Sequence, residues 1–284
     1  MPSLEHWIVT FVCPDKPGIV HAISGAVVAI NGNITESQQY SSEDTGRFFM
    51  RLQIEAAVET STFEASFRQI AETYQMDWRL DHVGRKMRTV VLGTRAQHCV
   101  NDLLFRTKAG QLPISIAGVL ANHAELSPLA EFFGVEFQSW PTLDSAQRQE
   151  FEIRLRQFIA ENQVELIVLA RFMQVLSDEF CRDFEGRIIN IHHSFLPGFK
   201  GAKPYAQAHE RGVKLIGATS HFVTADLDEG PIIEQHVTRV SHKDSVDRLL
   251  AIGQDVESRT LTQAVRWFAE HRVLIDGKRT VIFS

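Results

Sequence analysis

Apolar residues in the first eighty positions switch between two periods. In the nearly continuous apolar run Trp7-Ile8-Val9-Thr10-Phe11-Val12, Trp7, Val9 and Phe11 face one way and Ile8 and Val12 the other, which predicts a strand covered on both faces. Pro14-Asp15-Lys16-Pro17-Gly18 turns the chain. Ile19, Ile23, Val27 and Ile30 then recur at helical spacing until Asn31-Gly32-Asn33 stops the helix. Phe48, Met50, Leu52 and Ile54 share one face of a later strand, and Phe63, Phe67, Ile70 and Tyr74 mark a second helix. The order strand, helix, strand, strand, helix, strand between Glu5 and His82 predicts a ferredoxin-like α+β unit at residues 1–83.

The polar run Asp81-His82-Val83-Gly84-Arg85-Lys86 reads as a linker, and a different pattern follows it. Short apolar runs at Thr89 to Gly93, Ser115 to Val119, Val135 to Phe137, Leu166 to Ala170 and Ile188 to Ile191 read as buried strands. Helical stretches separate them, notably Ser145 to Ala160 with Phe151, Leu155 and Phe158 on one face. Such alternation predicts a doubly wound, mostly parallel α/β sheet across residues 84–284. Ligands of open parallel sheets bind beyond the carboxyl ends of the strands, and Asn190 to Pro197 lies at one such end. Ser194 to Gly201, with one proline and two glycines, predicts a loop wrapping a site there, while Lys200 and Lys203 read as solvated charges.

At 284 residues the chain is long enough for two cores, and 44% hydrophobic with 23% charged content is that of a soluble globular protein. A net charge of -6 argues against a nucleic-acid-binding surface. Cys13, Cys99 and Cys181 are odd in number and lack zinc spacing, which fits free thiols in the cytoplasm. Neither a secretion signal nor a run of about twenty apolar residues is present, so no membrane association is expected.

The strand end at residue 190 carries the chemistry. If Ile189 to His192 is extended, Asn190 and His192 share a face while Ile189, Ile191 and His193 take the other. An amide, an imidazole and a carboxylate suffice for attack on an acyl or formyl carbon: the amide bonds the oxyanion, the imidazole donates or moves a proton, and the carboxylate orients water. Singly, Asn190 and Asp228 read as turn residues and His221 as a core residue, so the assignment rests on their joint spacing. His192, His193, His209, His221, His236 and His242 crowd one region, but the His-Glu-x-x-His pattern is absent and alternation sends His192 and His193 apart; no metal is expected.

Asn190-x-His192, Ser194, Leu196-Pro197, Gly217-x-Thr219-x-His221 and Asp228 together resemble the folate-dependent formyl group enzymes, over roughly residues 88 to 284. The resemblance implies that Asn190 and His192 stabilise a tetrahedral oxyanion while Asp228, charged with the help of His221, orients the attacking group. It also implies a folate pocket built from Arg171, Phe172, Met173, Gln174, Val175 and Leu176 with the loop Thr224, Ala225, Asp226 and Leu227. The sequence alone does not assign the water proton to His192 or Asp228.

Near the amino terminus, Asp15-x-Pro17-Gly18-Ile19-Val20 and the exit Gly32-Asn33-Ile34 resemble the ACT family. That likeness implies a small effector, an amino acid, held at a homo-oligomer interface by Asp15, Gly18 and Asn33; turn geometry accounts for the same three residues, Asp15 as a cap. Formyl enzymes that modify glycinamide ribonucleotide hold its phosphate on a glycine- and serine-rich turn after the first strand. Here that turn, Gly93-Thr94-Arg95-Ala96-Gln97-His98-Cys99, keeps one glycine, although Arg95 can meet a phosphate by charge.

The weak cradle and the fused ACT-like unit together resemble the formyltetrahydrofolate deformylases. This implies hydrolysis of 10-formyltetrahydrofolate to formate and tetrahydrofolate, within one-carbon metabolism and purine biosynthesis, with the folate as substrate and no cofactor. The alternative is glycinamide ribonucleotide formyltransferase. A methionyl-tRNA formyltransferase is disfavoured by the acidic composition, and an amino-acid sensor has no use for Asn190, His192 and Asp228 together.

Overall fold

A computed structural model describes residues 4–196 and 204–284. They form two compact units, one running up to Arg85 and including Glu270–Ser284, the other Lys86–Ala269. Among the described residues no helix is long and apolar enough to cross a membrane.

In the first unit, β1 (Glu5–Pro14), α1 (Ile19–Ala29), β2 (Asn33–Ser42), β3 (Arg47–Ala56), α2 (Thr60–Tyr74) and β4 (Asp77–His82) follow the expected ferredoxin-like, ACT-like order. Their sheet is antiparallel in the order β2-β3-β1-β4. Trp7, Val9 and Phe11 join Phe48, Met50, Leu52 and Ile54 on the face packed against Ile23, Val27, Phe63 and Phe67 of the two helices. The expected linker begins later than its polarity suggested, because Asp81 and His82 are paired in β4. A charged residue can end an edge strand when its carboxylate is bonded, and Asp81 is held by His271 Nε2 at 2.8 Å and Arg85 Nη2 at 2.6 Å.

The second unit contains β5 (Met87–Gly93), α3 (His98–Lys108), β6 (Ile114–Ala121), α4 (Ser127–Phe133), β7 (Phe137–Ser139), α5 (Ser145–Glu161) and β8 (Leu166–Leu169). It continues with α6 (Asp178–Asp183), β9 (Ile188–His192), α7 (Pro204–Glu210), β10 (Leu215–Phe222), β11 (Ile232–Arg239) and α8 (Val246–Ala269). The seven strands lie in the order β11-β10-β9-β8-β5-β6-β7. Pairing is parallel from β9 through β8, β5 and β6 to β7, and antiparallel where β10 meets β9 and β11. The chain order reverses between β5 and β8, the place where such sheets open a crevice. Strand β7 starts two residues later than the apolar run at Val135, because Gly134 turns the chain at φ +70° and the Val135 N–H bonds back to Ala130 O to close α4.

The carboxyl terminus departs from the expected boundary. Rather than belonging with 84–269, residues 270–284 form a hairpin of β12 (Val273–Asp276) and β13 (Arg279–Ile282) within the first unit. The reason is the second face of β1 and β3, where Val12 and Phe49 need cover and receive it from Leu274 and Phe283. Polar groups add to the attachment: Asp276 accepts from Ser42 Oγ at 2.9 Å, and Arg51 Nε donates to Glu270 O at 3.2 Å. The double burial of β1 was visible in its sequence; the element that supplies it was not.

Phe283→Ala should therefore destabilise the first unit by about 3 kcal/mol, within the usual range for a buried Phe. Hydrogen exchange should speed up in β1 and β3 and remain unchanged in β9 and β10; equal protection in all four strands contradicts the assignment of the hairpin to the first unit.

Candidate active site

Strand β9 pairs with β10 so that Asn190 lies directly opposite His221 and His192 opposite Thr219. Residues opposite one another across an antiparallel pair project to the same side, which brings the amide and two imidazoles together from a local rule. Asn190 Nδ2 lies 3.2 Å from His221 Nε2. His221 Nδ1 lies 2.8 Å from Phe222 O, which only accepts, so Nδ1 carries the proton and Nε2 of the neutral ring accepts from Asn190. The second amide N–H of Asn190 stays available to a ligand.

Asp228 arrives from the turn between β10 and β11. The turn folds back on the end of β10 through a Phe222 N–H to Pro231 O bond of 2.9 Å. A Cβ at Gly230 would sit 1.8 Å from Phe222 O, so only glycine permits this return. Asp228 itself takes φ +57°, a left-handed conformation that Asp tolerates better than most residues. Its Oδ2 lies 3.2 Å from His192 Nδ1 and its Oδ1 3.6 Å from His221 Nε2. The hydrogen bond from His192, the largest cause, holds the Asp228 carboxyl well below its ordinary value of 3.8, against the opposing effect of burial.

Since the carboxylate accepts a hydrogen bond from the Nδ1–H of His192, Nε2 is the nitrogen left for chemistry. It is buried and has no hydrogen-bond partner among the described residues. Thr219 anchors the segment that follows: its hydroxyl accepts from Leu196 N–H at 3.0 Å and donates to Ser194 O at 2.9 Å. These contacts give the Gly-x-Thr-x-His spacing a structural cause.

Asn190, His192, His221 and Asp228 line one cavity of about 510 Å³. Its other walls are Arg171 through Leu176 after β8, together with Thr224, Ala225 and Leu227. Met173, Val175 and Leu227 are exposed there, apolar side chains placed where a flat ring system can cover them. Asp226 is not among the lining residues; its carbonyl accepts from Thr224 Oγ1 at 3.0 Å and so shapes the loop.

A further expectation is corrected at this site. His193 does not point away from His192: the rings stack with centroids 4.9 Å apart, and both line the cavity. Strand pairing ends at His192, so alternation has no hold on the next residue. Cys181 also lines the cavity from α6, a position that no local pattern foretells. The loop expected from Ser194 to Gly201 falls largely outside the described residues, as do Lys200 and Lys203.

In the first unit, Gly18 is the N-cap of α1 at φ +95°, and Asn33 opens β2. Asp15 does not cap the helix. Its carboxylate accepts from the Ser41 hydroxyl, and its N–H bonds Gly46 O at 2.8 Å, across to the β2–β3 turn.

A sequence profile described as Formyl transferase matches residues 87–265. A formyltetrahydrofolate deformylase from Corynebacterium sp. (strain P-1) is 43% identical over 278 residues, 97% of each chain. The crystal structure of a formyltetrahydrofolate deformylase from Burkholderia mallei ATCC 23344 superposes with a TM-score of 0.95 at 43% identity, covering 99% of this chain and 100% of that one. Glycinamide ribonucleotide transformylase 1 from Symbiobacterium toebii is less similar, with a TM-score of 0.64 and 33% identity over 72% of this chain and 98% of that one. By identity over nearly its whole length, this chain belongs to the formyltetrahydrofolate deformylase family.

Proposed function

We propose that this chain hydrolyses 10-formyltetrahydrofolate to formate and tetrahydrofolate, with Asn190, His192 and Asp228 as catalytic residues. The observation that carries the reading is the meeting of these groups in one cavity beside an apolar slot. The pterin lies in the slot between residues 171–176 and Thr224, Ala225 and Leu227, and the formyl group on N10 reaches the polar end. His221 is a positioning residue, bonding Asn190 and facing Asp228.

The geometry supports an assignment of the water proton. A carboxylate held below its ordinary range is a poor resting place for a proton, so Asp228 orients water and fixes the Nδ1 proton of His192. His192 Nε2 then takes the proton as the water oxygen bonds to the formyl carbon. The carbonyl electrons move onto oxygen, where the free N–H of Asn190 meets the charge. When the oxyanion collapses, the carbon–N10 bond breaks and His192 returns the proton to N10. Formic acid leaves and ionises in solvent.

Water rather than an amine is favoured by the turn after β5. Thr94 Oγ1 accepts from Met173 N–H at 2.9 Å, Arg95 Nε pairs with Glu125 at 3.0 Å, and His98 Nε2 meets Glu257 at 2.7 Å. The groups that would greet an acceptor's phosphate are engaged internally. Folate is consumed as substrate rather than retained as a cofactor, and the three buried free cysteines suit the cytoplasm.

The first unit completes the reading: copies of the chain associate through it, and an amino acid bound near Asp15, Gly18 and Asn33 changes turnover. Its ACT-like fold and the left-handed Gly18 ahead of α1 support this.

Incubated with 10-formyltetrahydrofolate and no amine, the purified protein should release formate and tetrahydrofolate in equal amounts. Asn190→Ala should lower kcat about 100- to 1,000-fold, the usual cost of an oxyanion donor. Asp228 has a folded value below its unfolded one, so its charge and its stabilising effect are present above the ordinary carboxylate value and are lost only in stronger acid. Asp228→Asn should consequently be defective by a similar factor at every pH from about 5 to 9, with folate KM changed less than about threefold. Formate that appears only when an amine is added, or an Asp228→Asn enzyme with normal turnover, defeats the reading. For the regulatory unit, a screen of the amino acids should find one that alters turnover, and Asp15→Ala should abolish that response; an undiminished response in the variant removes Asp15 from the effector site.

A further inference from the structure

Among the described residues that the proposed hydrolysis does not use is a buried cluster around Glu257. Glu257 on α8 is 1% exposed, and its two oxygens are divided among three partners from other parts of the second unit. Oε1 accepts from Tyr205 Oη at 2.6 Å, while Oε2 lies 2.7 Å from His98 Nε2 and 3.4 Å from Arg171 Nε. Burial pushes this carboxyl up, but the contacts with His98, Arg171 and Tyr205 outweigh it and hold the group below its ordinary value. The anion is therefore matched by its neighbours, the condition for keeping a charge inside a protein.

Of the three partners, Arg171 is the one that reaches the cavity. It follows the end of β8 and takes φ +62°, a left-handed conformation that is costly for a residue with a long side chain. It is also the first residue of the run 171–176 that forms the slot. Backbone bonds from Ala170 to Leu92 O and from Met173 to Thr94 Oγ1 fix the chain on either side, and the Arg171 guanidinium adds an ion pair with the fixed anion at 3.4 Å. His98, Cys99 and Glu257 also have potential ligand atoms within 4.8 Å of one another, but Arg171 already places a cation against the same carboxylate oxygen, which argues against a metal.

We propose that Glu257 is a positioning residue for folate binding, holding Arg171 in the left-handed conformation that starts the slot. It acts through Arg171 and touches neither the formyl group nor the water. The inference rests on the deformylase reading for the identity of the ligand.

The test compares Glu257→Gln in two backgrounds. In the wild-type background it should raise KM for 10-formyltetrahydrofolate about tenfold and change kcat less than about threefold. In an Arg171→Gly background the residue adopts a positive φ without help, so Glu257→Gln should shift KM by less than about twofold. An equal KM penalty in both backgrounds, an unchanged KM in the first, or a loss confined to kcat overturns the proposal. If Glu257→Gln does not fold, Glu257→Asp, which keeps the charge on a shorter stem, is measured against the same criteria. The Kd of tetrahydrofolate, read by quenching of tryptophan fluorescence, should follow the KM pattern. That binding comparison separates the two readings: a wild-type protein that releases no formate sinks the deformylase reading, whereas a Kd penalty independent of Arg171 sinks this one.

Discussion

Antiparallel pairing of β10 onto an otherwise parallel run of strands is the constraint on which the site depends. It sets Asn190 opposite His221 and lets the chain return at once through Gly230 to deliver Asp228. A one-residue slip in that pairing would turn Asn190 and His192 away from their partners, because side chains alternate with a period of two. Register in this part of the sheet is therefore a functional quantity. The apolar residues of β9, Ile188, Ile189 and Ile191, are all buried and oppose any slip.

Two carboxylates in the second unit show how one physical device serves different ends. Asp228 and Glu257 are each held ionised by donors, and each is placed by an element distinct from its partners. Asp228 stands at the cavity against His192, where the proposed hydrolysis uses a fixed negative charge to orient water. Glu257 is enclosed behind the wall, where the same charge meets Arg171 at the start of the slot. Exposure to the cavity, more than chemistry, separates their roles.

Much of this was legible in the sequence, for definable reasons. Two-residue alternation placed Asn190 and His192 on one face, and the apolar runs marked the parallel strands β5 to β9. Alternation failed at His193 because it holds only while pairing continues. The terminal hairpin escaped because each of its strands has four residues, too few for a period to register, and because its partner face on β1 lies about 260 residues away in sequence. Glu257 escaped for another reason: an acidic residue on a long amphipathic helix reads as solvated, and its partners come from α3 and the end of β8. Local pattern reports which residues are buried against something, and remote pairing decides what that something is.

In the proposed reaction one pocket brings an amide, an imidazole and a carboxylate to a single formyl carbon. Its most direct test is a crystal structure with a 10-formyl folate analogue that resists hydrolysis. The pterin should lie in the slot between residues 171–176 and Thr224, Ala225 and Leu227, with the formyl oxygen about 3 Å from Asn190 Nδ2 and with His192 Nε2 and Asp228 bordering the formyl carbon. A formyl group bound beyond the reach of those three side chains would contradict it.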